Sequence, residues 1–142
     1  MTKFAMTTLM IGLYHDFKRH NAATGFKGIV CSIWPAAAIV SAATEFTRPG
    51  SKVELRKPEI FADAILAILQ DEGEKVNGKA WLDEDYLREL KGVTDFDGYA
   101  FLPGVKVRRI MPLKLPVLEV EEQDDEGDRM DSVKSIKDKA KL

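Results

Sequence analysis

The sequence predicts an α/β fold with a parallel sheet, because helical and strand patterns alternate along the chain. In the first segment, apolar residues recur at helical spacing, at Ala5, Leu9, Leu13 and Phe17. Residues 28–34 then form a short, almost continuous apolar run, which is typical of a strand covered on both faces. A second helical pattern and a second short strand follow, and a helix that joins two strands favours parallel pairing.

Turn-forming residues bound the first helix and the first strand. The helix is expected to end near His20, and Thr24-Gly25 makes the turn to the strand, which Pro35 ends. A polar loop over residues 44–57 follows. Since the helix is apolar on most sides, we expect the sheet to cover one side and another helix or subunit to cover the other.

The second helix and second strand also have recognisable limits. Pro58 suits the first position of a helix, and Glu59 in its first turn suits the helix dipole. The helix is expected to stop by Gly73, and the second strand to cover residues 79–82. Asp83 can cap a brief third helix that a glycine closes. Two strands make a small sheet, so one edge of the first strand is expected to be left unpaired.

The end of the chain has a different composition from the rest. After two prolines, an acidic run covers residues 119–128, and a lysine-rich end follows. Such segments cannot bury enough apolar surface to form a core. We therefore predict an α/β region over residues 1–104 and a flexible acidic and lysine-rich tail over residues 105–142.

Composition excludes several classes of function. The net charge of −2 gives no basic surface for nucleic acid. Cys31 is the single cysteine, which excludes an internal disulfide and a cysteine-rich zinc site, and no metal site is predicted. The apolar run over residues 29–43 contains Pro35 and is shorter than the ~18–20 residues of a spanning helix, so no membrane span is expected.

A set of short motifs occurs in a fixed order along residues 1–112. Its members are Thr2-Lys3-Phe4-Ala5-Met6; Trp34-Pro35 with Ala38-Ile39 and Ala42-Ala43; Arg56-Lys57 with Ile60, Ala62, Asp63 and Ala64; Asp83-Glu84; and Phe96-Asp97, Tyr99-Ala100 and Pro103-Gly104. In this order and spacing the chain resembles the C-terminal half of a short-chain dehydrogenase/reductase, and in particular the hydroxysteroid dehydrogenase-like subfamily. The resemblance implies the C-terminal half of a Rossmann-type doubly wound parallel sheet, in the order helix, strand, helix, strand.

The resemblance also implies a cofactor, which is NAD or NADP, and a small-molecule carbonyl or alcohol substrate. In that family a tyrosine is the acid/base, and a lysine four residues later lowers the pKa of the tyrosine and holds the ribose hydroxyls. Lys3 matches this lysine, as a catalytic and cofactor-binding residue. Ile39 and Ser41 match the segment whose backbone meets the nicotinamide carboxamide, and the loop over residues 44–57 would lie over the substrate.

The partner tyrosine would fall before Met1, and the glycine-rich loop and catalytic serine would lie further upstream. We therefore expect an oxidoreductase fragment that is inactive as it stands and does not bind the cofactor alone. The alternative is a non-catalytic binding module, which would use the first helix and the open strand edge to pair with a full-length dehydrogenase. The first helix could form either a homodimer or a heterodimer. An unrelated small α/β protein would need the ordered matches to be coincidence.

The last three residues, Ala140-Lys141-Leu142, have the small–basic–leucine form of a C-terminal peroxisomal address. The neighbouring Lys137 and Lys139 fit this interpretation, and an ordinary lysine-rich end is the alternative. The sequence thus predicts a peroxisomal location, and otherwise a cytoplasmic one.

Overall fold

The computed structural model describes residues 2–47 and 52–112. Within these ranges the elements are α1 (Thr2–Thr24), β1 (Ser32–Trp34), α2 (Ala42–Thr47), α3 (Glu59–Leu69), α4 (Gly73–Val76), β2 (Ala80–Leu82), α5 (Asp83–Lys91) and a short 3-10 helix (Asp97–Tyr99). The predicted α/β class, with its alternation of helix and strand, is confirmed. Two limits differ from the prediction: α1 continues past His20 to Thr24, and the start of the expected loop over residues 44–57 belongs to α2, because Ser41 caps a helix there. Most of the predicted tail, including the Ala140–Leu142 address, lies outside the described residues.

The two strands form a parallel pair, as predicted. Ser32 faces Ala80, and Trp34 faces Leu82. Both strands are shorter than their sequence patterns suggest. The reason is visible before β1, where the Val30 N–H donates to the Asn77 side chain (2.9 Å) rather than to a strand backbone.

The core lies between the sheet and the helices α3 and α5. One cluster of buried residues contains Ile60, Ala64, Leu87 and Phe96, and a second contains Ile68, Val76 and Tyr86. Helix α5 ends as predicted at Gly92, whose φ of 70° places it in the left-handed region that suits glycine. The core therefore joins α3 to α5 on one side of the sheet.

Helix α1 contacts the sheet through a narrow face. Thr7 and Met10 are buried, and the Trp34 indole N–H donates to the Thr7 hydroxyl (3.0 Å). A neighbouring face is apolar and exposed, with Met6 57%, Leu9 64% and Leu13 39% exposed. The expected cover by the sheet is confirmed for one face. No helix among the described residues has the length and apolar character to cross a bilayer.

Candidate functional site at the strand ends

The candidate site lies where β1 and β2 end, because parallel strands bring their carboxyl ends to one edge of a sheet. In open α/β sheets this edge is where ligands bind. β1 continues into the Pro35–Ser41 turn, and β2 continues directly into Asp83. The short strands thus place an irregular backbone segment next to a carboxylate.

Asp83 holds the start of the turn. Its Oδ1 atom accepts hydrogen bonds from the Ala36 N–H (2.8 Å) and the Glu84 N–H (2.7 Å). Burial raises the pKa of the Asp83 carboxyl, and these two amides oppose that shift because they stabilise the carboxylate. The sequence predicted Asp83 as the cap of α5, but Asp83 is the first residue of the helix, and the cap residue is Leu82, which makes no side-chain hydrogen bond. The Asp83 carboxylate instead joins the start of the helix to the turn.

Arg56 holds the middle of the turn through its backbone. Its N–H donates to the Ala38 carbonyl (2.8 Å), and the Val40 N–H donates to its carbonyl (2.9 Å). This parallel pairing directs the N–H of Ile39 away from Arg56. Within residues 2–47 and 52–112, that N–H is paired with no acceptor. Ile39 therefore offers a backbone donor that the turn and Arg56 leave open.

The side chain of Arg56 fixes this segment in place. Its Nε donates to Glu84 Oε1 (2.9 Å), and its Nη1 donates to the Phe96 carbonyl (2.6 Å). Both partners of the ion pair are nearly inaccessible to solvent, with side-chain exposures of 9% and 7%. A buried pair keeps its geometry because either charge alone would be strongly disfavoured. The turn thus rests on a rigid support.

Ser41 lies at the far end of the turn and is exposed. Its N–H donates to the Thr44 hydroxyl (2.8 Å), and its Oγ accepts from the Thr44 N–H (3.3 Å). The Thr44 hydroxyl also donates to the Ile39 carbonyl (3.0 Å). This arrangement caps helix α2. A contact between Ser41 and a cofactor stays a prediction.

Lys3 is exposed in the first turn of α1. It lies four residues before Thr7 and therefore shares the helix face that contacts Trp34 at the end of β1. The structure thus places Lys3 on the face of α1 that meets the strand end from which the turn begins. Its predicted catalytic and cofactor-binding roles stay predictions.

Sequence reasoning missed the ion pairs that hold this edge together. Arg56 and Glu84 were noted only as parts of motifs, and Arg109 was assigned to the tail. In the structure Arg109 makes a bidentate contact with Asp85, at 2.6 Å for each nitrogen–oxygen pair. Three acidic residues in a row after a strand were the available signal. They gave no indication of which distant arginines would pair with them.

A metal is not indicated at this edge. No cluster of histidine, cysteine or carboxylate side chains suited to a metal ion occurs among the described residues. In the Asp95–Gly98 segment, Asp95 Oδ1 accepts a hydrogen bond from the Asp97 N–H (2.8 Å). The polar groups described at this edge are backbone amides, carboxylates and a lysine.

Comparison with known proteins shows that the chain is similar to part of several dehydrogenases. It matches no protein-family model. It is 33% identical over 105 residues to hydroxysteroid dehydrogenase-like protein 2 of Homo sapiens. The matched segment covers 73% of this chain and 23% of the relative. The protein of the same name from Danio rerio is 35% identical over 106 residues, with the same two coverages. The chain thus spans less than a quarter of the length of these curated relatives.

Two solved structures also resemble it. A short-chain dehydrogenase from Mycobacterium thermoresistibile is 28% identical, with a TM-score of 0.60 over 75% of this chain and 36% of that chain. A protein from Xanthomonas campestris, described as a dehydrogenase, is 28% identical, with a TM-score of 0.58 over 78% of this chain and 38% of that chain. These matches confirm both the resemblance and the fold class that the sequence predicts.

Proposed function

Because the chain is a relative of the short-chain dehydrogenases/reductases over part of their length, we propose that it supplies one half of a nicotinamide site. In the complete site, NAD or NADP would exchange a hydride with a carbonyl or alcohol carbon of a small molecule. This chain would contribute the turn that meets the nicotinamide, the lysine beside the acid/base, and the loop over the substrate. The substrate itself is left open.

The open N–H of Ile39 is the observation that carries this proposal. It is a backbone donor on a turn that Asp83 and Arg56 hold through the Ala36 N–H, the Ala38 carbonyl and the Val40 N–H. A carboxamide oxygen is an acceptor that such a donor can bind. Because the turn is already fixed, binding would require little reorganisation of the backbone. Ser41, at the exposed end of the same turn, would make the second contact.

Lys3 would be the electrostatic partner of a tyrosine. A side chain four residues earlier would share its helix face, and the lysine charge would lower the pKa of the tyrosine. No position of this sequence lies four residues before Lys3, which is third in the chain. The 142 residues by themselves are therefore expected to have no dehydrogenase activity.

A chimera tests this proposal. It joins the portion of the human relative that precedes the matched segment to this chain, so that a tyrosine falls four residues before Lys3. We expect NAD(P)H-dependent turnover from the chimera and none from the 142-residue chain. Lys3→Met in the chimera should lower turnover by about a hundredfold or more, the effect expected when acid/base chemistry is impaired.

Lys18→Met is the matched control, because Lys18 is exposed near the other end of α1. It should leave turnover unchanged. Equal activity of the two variants would contradict the role of Lys3, and turnover by the unmodified 142-residue chain would contradict its expected inactivity.

A second candidate function is that of a non-catalytic binding module. The exposed stripe of Met6, Leu9 and Leu13 on α1 favours it, since this apolar face has no cover within the described chain. A second copy or a longer dehydrogenase would bury it. Leu9→Glu should then weaken association in sedimentation experiments, whereas Thr8→Glu, on another face of α1, should not. A monomer at all concentrations would count against this function.

We also propose that Ala140-Lys141-Leu142 directs the protein to peroxisomes. The proposal rests on the form of this C-terminal tripeptide and the neighbouring lysines. A fluorescent protein carrying residues 129–142 at its C-terminus should accumulate in peroxisomes. Deletion of Leu142 should return it to the cytoplasm, and unchanged localisation would contradict the address.

A further inference from the structure

A backbone strap formed by residues 105–112 runs beside the Pro35–Ser41 turn. Two successive amides of the strap, those of Ile110 and Met111, donate to the Ala36 carbonyl at 2.9 and 3.1 Å. The strap thus occupies the acceptor of the same residue whose N–H is bonded to a carboxylate from α5. The start of the turn is held from two directions.

Arg109 anchors the strap. Its backbone pairs antiparallel with Ala37, and its guanidinium makes two parallel contacts of 2.6 Å with the Asp85 carboxylate. The same guanidinium donates to the carbonyls of Met111 (3.0 Å) and Pro112 (2.8 Å). One side chain therefore binds the strap to α5 and also orders the backbone of the strap.

The residues of the strap alternate between exposed and half-buried positions. Ile110 is 61% exposed and Arg108 is also exposed, whereas Val105, Val107 and Met111 are half-buried. None of these apolar side chains is fully buried, so the attachment of the strap also depends on the bidentate pair, which is mostly shielded from solvent, and on the amides that this pair positions. Loss of Arg109 should release the strap while the core remains packed.

We propose that Arg109 and Asp85 form a clamp that holds the turn through the strap. When the clamp is closed, the Ala36 carbonyl is bonded and the backbone from Pro35 to Ser41 has one position. Arg109 is thereby a positioning residue for the nicotinamide-facing turn, a role that rests on the function proposed above. The clamp itself depends only on the observed contacts.

Hydrogen–deuterium exchange of the 142-residue chain tests the clamp. Arg109→Gln removes the bidentate pair, and exchange in the peptide that covers residues 35–41 should become faster by a factor of roughly 5–30. Exchange in α3 should stay as in the unmodified chain. Arg109→Lys keeps the charge but not the planar fork, and it should give an intermediate rate.

Arg108→Gln is the matched control, since its side chain is exposed and adjacent in sequence. It should leave exchange in the turn unchanged. In the double variant Asp85→Asn/Arg109→Gln, the turn should exchange no faster than in the more affected single variant, because both substitutions remove the same contact. Equal exchange of residues 35–41 in the Arg109→Gln and Arg108→Gln variants would overturn the clamp. So would acceleration spread uniformly over α3 and the turn, because it would mean a general loss of structure.

The role of Arg109 in positioning the turn for the cofactor is tested separately, with NADH and the chimera described above. NADH should slow exchange of the turn in the chimera, and Arg109→Gln should reduce that protection. If NADH protects nothing while the Arg109 and Arg108 variants still differ without it, the clamp stands and the proposed function fails. If NADH protects the chimera and its Arg109→Gln variant equally, the clamp has no role in positioning the cofactor.

Discussion

Three successive carboxylates at the end of β2 each hold a different segment of the chain. Asp83 bonds the turn, Glu84 pairs with the buried Arg56, and Asp85 pairs with the strap. Each contact joins residues that are at least 24 positions apart in sequence. At the scale of single residues, these charges therefore determine the shape of the candidate site more than any residue that would touch a ligand.

The Arg56–Glu84 pair is expected to be the most costly of these contacts to break. Glu84→Ala leaves the Arg56 guanidinium buried without its anion, so the free energy of unfolding should fall by about 3–5 kcal/mol. Glu89→Ala, on the exposed side of the same helix, should change it by no more than about 0.5 kcal/mol. Urea unfolding of both variants measures the difference, and equal losses would contradict a buried pair.

The carboxylate of Asp71 makes the free energy of unfolding depend on pH under acidic conditions. The Tyr86 hydroxyl donates to its Oδ2 atom (2.7 Å), and the Lys91 ammonium lies at 3.1 Å from the same oxygen. The tyrosine hydrogen bond and then the lysine hold the pKa of Asp71 well below its usual range. A lowered pKa in the folded state adds stability that is present above about pH 4, the pKa of unfolded aspartate, and is lost as the pH falls further.

Asp71→Asn should therefore flatten the stability profile at low pH. The unfolding free energy of the unmodified chain should fall steeply below about pH 4, and that of the variant less steeply. Asp16→Asn, which alters an exposed pair with Arg19, should keep the steep profile. The measurement is denaturant unfolding at a series of pH values, and parallel profiles for all three proteins would refute the assignment.

Helix α3 shows the difference between the two faces of an apolar element. Ile60, Ala64 and Ile68 are buried, whereas Ile65, Leu66 and Leu69 are exposed. The sequence pattern predicted the helix but not which apolar residues would be covered, because leucine and isoleucine occur on both faces. Coverage depends on α5, which reaches α3 only through tertiary packing.

The two faces should respond differently to truncation. Ile60→Ala removes a fully buried side chain and should lower the free energy of unfolding by about 2–5 kcal/mol. Leu66→Ala acts at a position that is 54% exposed and should have an effect of no more than about 0.5 kcal/mol. Similar losses for both would mean that another surface covers the outer face of α3, and thermal unfolding distinguishes these cases.

The end of α5 depends on backbone conformation. Gly92 has a φ of 70°, and a Cβ atom added there would meet nothing within 4 Å. Gly92→Ala should therefore cost about 1–2 kcal/mol through left-handed strain alone. Gly98→Ala also has open space but lacks a positive φ, so it should be neutral or slightly stabilising. Equal effects on the unfolding free energy would contradict this explanation.

At the scale of the whole molecule, the sequence predicted the order of α1, β1, α3, β2 and α5 from local periodicity, and parallel pairing from the helix that joins the two strands. It predicted neither α2 nor α4. It also placed the candidate turn directly after Pro35. The ion pairs and the strap were not predictable, because they depend on which distant segments meet at the strand ends. Arg109 shows this most clearly, since nothing in its local sequence indicates that it would pair with Asp85.

The two-stranded sheet is a small part of the architecture seen in the dehydrogenase relatives. β1 pairs with β2 on one side, and the described residues provide no strand for its other side. The curated relatives are more than four times as long as the matched segment. The proposed nicotinamide site would therefore combine this turn with groups from segments that the match does not cover.

The most direct test is the amide resonance of Ile39 in the chimera, with isotope-labelled isoleucine and with Ile39→Val to assign the signal. Addition of NADH should shift this resonance, because its open N–H would bind the carboxamide oxygen. The Ile65 resonance, on the outer face of α3, should stay in place. An unchanged Ile39 signal in a chimera that binds NADH would contradict the claim that this turn meets the nicotinamide.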